Sequence, residues 1–232
     1  MPDDIRSLPH PDAVLFDLDG TLVDTVGTRI DAWTEALLAA GYPTTRDQLA
    51  PMIGLDGRRL AKEVATLAGR PIDEARSEEI DKASGEIYER LNEPRPLPGV
   101  AAVVAAIEST GIKWAIATSS RKDQVKTSVD ALGLSAEPAI IDASHVEHAK
   151  PEPDLLLYAA KELDVDPGRC WYIGDSTWDM VSAVAAGMVA IGVTAGSAVG
   201  GDALRSAGAA VVVGTLEDIA EAIGQPASER AT

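Results

Sequence analysis

The sequence predicts an α/β fold with a mostly parallel sheet covered by helices on both faces, and three observations carry that prediction. Short apolar runs alternate with stretches of helical periodicity, the pattern of parallel strands joined by crossover helices. One long interval, 28–91, is helical throughout and holds nothing that resembles a strand. The 232 residues, 46% of them hydrophobic, suffice for one core plus an insertion.

Strands are expected at 13–16, 113–117, 139–141, 171–173, 188–193 and 209–213. Helices are expected between them. Val100, Val103, Val104 and Ile107 share one face of 100–109, and Val125, Val129 and Leu132 share one face of 124–132. The segments 155–163 and 181–186 follow the same spacing. Thr215-Leu216-Glu217-Asp218 can cap a last helix, and 225–232 reads as a frayed tail.

Inside the helical interval the candidates are 30–40, 57–67 and 74–91, broken by Gly41-Tyr42-Pro43 and Gly69-Arg70-Pro71. We read this block as an inserted small domain. It is entered through 24–28 and left through Pro94-Arg95-Pro96-Leu97-Pro98-Gly99, whose prolines make a stiff, extended return linker. The expected division is core in 1–24, helical insertion in 25–93, and the rest of the core in 94–232.

Composition narrows the function. A net charge of −17, from 37 acidic and 20 basic residues, repels nucleic acid backbones and anionic membranes. A small anionic substrate remains admissible, because it feels the local pocket more than the average field. No apolar stretch approaches a membrane span, and Met1-Pro2-Asp3-Asp4 is acidic where a signal peptide is basic. A single cysteine, Cys170, excludes an internal disulfide and reads as a small buried hydrophobe. His145 and His148 lack a third soft ligand and are expected on a solvent-facing loop. The expectation is a soluble cytoplasmic protein, a monomer or small homo-oligomer, with a small molecule as its partner and neither nucleic acid nor membrane.

The chemistry begins at Asp17-Leu18-Asp19-Gly20-Thr21-Leu22-Val23-Asp24-Thr25. Two carboxylates at i and i+2 of an extended chain start out on one side, which favours a hard cation between or beside them. An Asp-Gly turn after a strand is common in any soluble protein, so the later strand ends decide. Thr118-Ser119-Ser120 follows one strand, with hydroxyls and N–H groups placed to hold an anion. Lys150 precedes a proline-opened helix, where its ammonium can offset phosphoryl charge. Gly174-Asp175-Ser176-Thr177-Trp178-Asp179 follows another strand. Ligands bind at the carboxyl ends of parallel strands, so Asp17, Asp19, Thr118, Lys150, Asp175 and Asp179 converge on one basin.

With these four motifs in this order, the chain resembles the haloacid dehalogenase-like hydrolase superfamily, in its branch of phosphatases and phosphomutases with a helical cap after the first strand. The resemblance runs from Pro11 to about Gly214 and implies a three-layer Rossmann-like core with an inserted all-helical cap. It also implies a Mg²⁺-dependent phosphomonoester hydrolase acting on a sugar phosphate, phosphoglycolate or a similar metabolite. By the resemblance, Asp17 is the nucleophile and forms an aspartyl-phosphate, while Asp19 is the general acid and base. Mg²⁺ is held by the Asp17 carboxylate, the Asp19 backbone carbonyl and Asp175. Asp179 orients water or Lys150. Thr118 and the N–H groups of Leu18, Asp19 and Ser119 cradle the phosphoryl oxygens, and Lys150 balances charge.

Asp19 separates phosphate-ester members from dehalogenases, which lack an aspartate there because a halide leaving group needs no acid. The mutase alternative, resembling β-phosphoglucomutase, is disfavoured because Arg29 stands where those enzymes carry a hinge histidine. A silent phosphate-binding protein is the alternative from another class. In the cap loop Met52-Ile53-Gly54-Leu55-Asp56-Gly57-Arg58-Arg59, we expect Gly54 and Arg58 to meet the non-phosphoryl part of the substrate.

Overall fold

The computed structural model describes residues 4–120, 122–135 and 137–224. Six parallel strands form one sheet: β1 (Ala13–Phe16), β2 (Lys113–Ala117), β3 (Ala139–Ile141), β4 (Cys170–Gly174), β5 (Val189–Val193) and β6 (Val211–Val213). Their spatial order is β3-β2-β1-β4-β5-β6. The chain thus winds outward from β1 in both directions, and the two halves part beside it.

Pleating sorts the strand residues onto two covered faces. Val14, Phe16, Ile116, Ile173 and Ile191 pack against the helices α5 (Val100–Thr110) and α10 (Leu216–Gly224). Leu15, Ala115, Ala117, Tyr172 and Ala190 face the other way, toward α7 (Asp154–Glu162), α8 (Thr177–Ala185) and α9 (Gly201–Ser206). All four residues of β1 are buried, which explains why it reads as an unbroken apolar run.

The interval after β1 is helical: α1 (Val26–Ala39), α2 (Arg46–Leu49), α3 (Gly57–Leu67) and α4 (Glu74–Leu91). These helices own a separate core of Ile30, Trp33, Leu37, Leu49, Leu60, Val64 and Ile80, with α4 packed on both α1 and α3. The outgoing and returning strands of chain run side by side, Asp24 N–H donating to Arg95 O at 2.9 Å and Leu97 N–H to Leu22 O at 2.9 Å. The insertion is seated over the strand ends. Trp178 Nε1 donates to Pro51 O at 2.9 Å, and Asp56 N–H reaches Lys150 O at 3.3 Å.

Several boundaries depart from expectation for physical reasons. Helix α8 starts at Thr177, four residues before the expected 181, because Ser176 and Asp179 form a capping box. Helix α1 starts at Val26 rather than 30, and the helix expected at 124–132 is α6 (Lys122–Ala131). Helices α2 and α9 were not expected; α2 is one turn held by a Thr45–Gln48 capping box. The tail expected at 225–232 lies outside the described residues. No helix among the described residues is long and apolar enough to cross a membrane.

Candidate active site

Register brings the separate motifs to one level. Phe16 is aligned with Ile116 on one side and Ile173 on the other. Asp17, Thr118 and Asp175 therefore leave the sheet within two residues of the same row. Gly20 closes the turn that follows at φ +81°, and a Cβ there would strike both Asp175 Oδ2 and Val26. Only glycine fits the backbone and the space together.

Asp17 and Lys150 form the centre. Lys150, 1% exposed, donates to Asp17 Oδ1 at 2.6 Å, Asp179 Oδ1 at 2.8 Å and the Tyr172 hydroxyl at 2.9 Å. All three ammonium donors are thus used. Asp179 is fixed in turn, its Oδ2 accepting from Ser176 N–H at 2.9 Å and Ser176 Oγ at 2.6 Å. Asp175 accepts from Thr21 Oγ1 at 3.2 Å through Oδ1.

Carboxylate oxygens of Asp17, Asp175 and Asp179 lie within 4.8 Å of one another, all buried. One lysine cannot neutralise three buried carboxylates. Burial, with Asp179 and Asp19 nearby, pushes Asp17 up to about 7 against the pull of Lys150. Burial, with Asp179 and Asp17 nearby, pushes Asp175 well above the usual carboxylate range. Burial would lower Lys150, but Asp17 and Asp179 outweigh it and hold its proton more tightly than usual. A hard divalent cation fits this excess of negative oxygen, and Asp17 and Asp175 each keep a second carboxylate oxygen for it among the described residues. Asp179 fits less well, since both its oxygens already accept hydrogen bonds.

Asp19 occupies a different electrostatic setting. Its carboxylate accepts from Thr25 Oγ1 at 2.5 Å, Ser120 Oγ at 2.7 Å, Arg29 at 2.9 Å and the Tyr88 hydroxyl at 3.0 Å. Burial pushes it upward, yet Arg29 and these hydrogen bonds win and hold it at about 2. The Arg29 guanidinium also donates to Ser120 Oγ at 2.7 Å and lies 3.5 Å from the Tyr88 ring centroid. Tyr88 is pushed up to about 12 by burial and by Asp19.

Above these groups is a cavity of about 480 Å³, within the usual range for small-molecule sites. Asp17, Asp19, Thr118, Ser119, Lys150 and Asp175 line its floor, and Gly54 and Arg58 line its cap side. Gly54, at φ +92°, rests on Ser176 so closely that a Cβ would stand 2.5 Å from the serine oxygen. Thr118 Oγ1 accepts from Ser120 N–H at 3.1 Å. Ser119 Oγ is buried and has no hydrogen-bond partner among the described residues. Arg58 pairs loosely with Asp56, Glu74 and Glu78, at 3.6, 3.5 and 3.8 Å. The side chain of Leu18 points into the core, which leaves only its backbone for any role at the site. His145 and His148 are exposed and stand apart from the cluster. Cys170, the first residue of β4, is buried and pushed up to about 11 by that burial.

Sequence reasoning missed Tyr88 and Tyr172 altogether and noticed Arg29 only as a hinge position. Tyr88 comes from α4, 69 residues from Asp19, and no local signal ties the two together. Tyr172 lies inside β4, where the pleat aims it at Lys150.

A Rossmann-like sheet with an aspartate cluster at its carboxyl edge, roofed by an inserted helical cap, defines the class to which this protein belongs. Residues 14–193 match the family described as haloacid dehalogenase-like hydrolase, and the chain is a member of that family, in its helical-cap branch. It is 34% identical over 182 residues to the N-acetylmuramic acid 6-phosphate phosphatase of Pseudomonas aeruginosa, covering 75% of this chain and 78% of that one. It is 32% identical over 182 residues to a phosphoglycolate phosphatase of Xylella fastidiosa, covering 77% and 78%. A crystal structure of a hydrolase from Pseudomonas syringae superposes with a TM-score of 0.85 at 32% identity, covering 90% of this chain and 96% of that one.

Proposed function

We propose that this chain is a Mg²⁺-dependent phosphomonoester hydrolase acting on a small phosphorylated metabolite, with residues 25–93 as its cap. The observation that carries the reading is the buried Lys150 bridging Asp17 and Asp179 beside Asp175, with Asp19 lining the same cavity. The two relatives above, both named as phosphatases, support it.

Asp17 is the phosphoryl acceptor, its carboxylate held in place by the Lys150 bond to Oδ1. The P–O bond to the leaving alcohol breaks as the Asp17 O–P bond forms, and water then cleaves the aspartyl-phosphate to give inorganic phosphate. The Asp17 and Asp175 carboxylates and the Asp19 backbone carbonyl would hold Mg²⁺, which supplies charge neutralisation for the phosphoryl oxygens. Thr118, the Ser119 hydroxyl, which has no hydrogen-bond partner among the described residues, and the backbone N–H groups of Leu18 and Asp19 receive those oxygens, and Lys150 offsets the charge.

Asp19 is the group that gives a proton to the leaving alcohol and takes one from water. At about 2 it is held ionised by Arg29, so proton donation requires Arg29 to be drawn away. The incoming phosphoryl dianion, in the cavity that Arg29 also lines, is the natural competitor for it. Arg58 donates to the part of the substrate beyond the phosphate.

The test is phosphate release from p-nitrophenyl phosphate with Mg²⁺ and after thorough chelation. Turnover that disappears with the metal and returns with Mg²⁺ is expected; turnover indifferent to chelation would overturn the metal assignment. No turnover on a broad phosphate panel would leave a binding protein. Conversion of β-glucose 1-phosphate to glucose 6-phosphate faster than phosphate release would make it a mutase.

A further inference from the structure

Asp19 is held through both of its carboxylate oxygens, and the two sets of donors differ in kind. Oδ2 accepts from Arg29 at 2.9 Å and from Ser120 Oγ at 2.7 Å, and Arg29 and Ser120 both line the cavity. Oδ1 accepts from Thr25 Oγ1 at 2.5 Å and from the Tyr88 hydroxyl at 3.0 Å. Thr25 and Tyr88 are each 1% exposed and do not line the cavity. One oxygen is thus bonded to groups a substrate can reach, the other to groups it cannot. Thr25 stands at the N-cap position of α1, where a threonine hydroxyl ordinarily caps the helix, yet it makes no cap bond and donates to Asp19 instead. Tyr88 reaches the same oxygen from the last turn of α4, and its ring is the surface on which Arg29 stacks.

We infer that Tyr88 is a positioning residue for the acid–base step: its hydroxyl anchors Asp19 by Oδ1, which makes Oδ2 the oxygen that exchanges the proton. The inference rests on the hydrolase reading and deepens it. The proton passes from Oδ2 to the departing alcohol oxygen as the P–O bond breaks. The water that cleaves the aspartyl-phosphate then returns a proton to Oδ2. A phosphoryl group in the cavity competes for Arg29 and Ser120, whereas the Thr25 and Tyr88 bonds lie beyond its reach. Without the phenol, Oδ1 keeps Thr25 alone, and rotation about the soft Cβ–Cγ torsion of an aspartate carries Oδ2 out of line. Tyr88 stands outside the cavity and does not grip the phosphate, so its contribution should appear where the proton counts. Because it belongs to α4, the anchor also ties the acid in the core to the seating of the cap.

Tyr88→Phe tests this, since it removes the hydroxyl and keeps the ring beneath Arg29. Variant and wild type are compared in a first turnover with excess full-length enzyme and Mg²⁺, on two esters. The phenolate of p-nitrophenyl phosphate departs without a proton, whereas the alkoxide of p-nitrobenzyl phosphate needs one. The variant should slow alcohol release from the benzyl ester by about tenfold more than release from the phenyl ester, with half-saturation for each ester within about twofold of wild type. A structural role would slow both alike. Thermal melting reads the contact without turnover: Tyr88→Phe should lower Tm less in an Asp19→Ala background than in wild type, because the carboxylate it held is gone. A wild type that hydrolyses neither ester would count against the hydrolase reading alone, and melting would still decide the anchor. Equal slowing of both esters, or an equal loss of Tm in the two backgrounds, would overturn the inference.

Discussion

Replacing Lys150 by methionine keeps an unbranched side chain, one atom shorter, and removes its charge. The ammonium is 1% exposed and bonded to Asp17, Asp179 and Tyr172, so solvent cannot take over its role. Deleting one partner of a buried ion pair costs about 3–5 kcal/mol, because the charges left behind are uncompensated. For a chain of this size that lowers Tm by roughly 6–20 °C. The cost should also depend on pH. Without the lysine, the native cluster keeps a proton that the unfolded carboxylates have released above about pH 4, so the native state binds more protons and stability falls as pH rises. The gap between variant and wild type should widen from pH 5 to pH 8. Denaturation followed by circular dichroism in chelator measures both effects. Adding Asp179→Asn to Lys150→Met should return part of the loss, since the two changes share one network. A single variant within about 1 kcal/mol of wild type at pH 8 would refute the claim that Lys150 neutralises the cluster.

Other perturbations separate the remaining roles. Asp19→Asn keeps the backbone carbonyl but loses proton transfer and should slow turnover by roughly 10²–10⁴-fold, with near-normal steady-state rates counting against the assignment. The same residue gives an acid signature. Its carboxyl lies near 2 in the fold and near 4 when unfolded, so it contributes about 2–3 kcal/mol above pH 4 that is lost as pH falls toward 2. Acid titration of Asp19→Asn should lack that part of the slope, and a slope identical to wild type would contradict the Arg29 pairing. Arg58→Ala should depress kcat/KM strongly for the preferred metabolite and weakly for p-nitrophenyl phosphate; equal losses would give Arg58 a role in the fold or in cap seating.

How legible the molecule was in its sequence follows from what each signal measures. Strands such as β1 and β2 were readable because a sheet covered on both faces demands apolar runs, and their ends carried the polar motifs. Helices α3 and α4 announced themselves through periodicity and flanking Gly-Pro breaks. The start of α8 is set by a capping box with Ser176 rather than by apolar spacing, and the Asp179 that closes this box is also a site residue. Its two jobs are physically linked: the cap bonds fix the carboxylate that in turn holds Lys150. The Asp19 clamp was illegible for another reason. Arg29, Tyr88 and Ser120 arrive from α1, α4 and the loop after β2, and only the seating of the cap brings them onto one carboxylate.

Covalent phosphorylation of Asp17 is open to direct chemical trapping. A single turnover with excess enzyme, quenched in acid and treated with borohydride, converts an acyl phosphate on aspartate to homoserine. Mass spectrometry of the peptide that contains Asp17 and Asp19 locates it. Homoserine is expected at position 17, with none at position 19 and none at either position in Asp17→Asn or without substrate. Phosphate released in that same turnover with position 17 unmodified, or homoserine at position 19 instead, would contradict it.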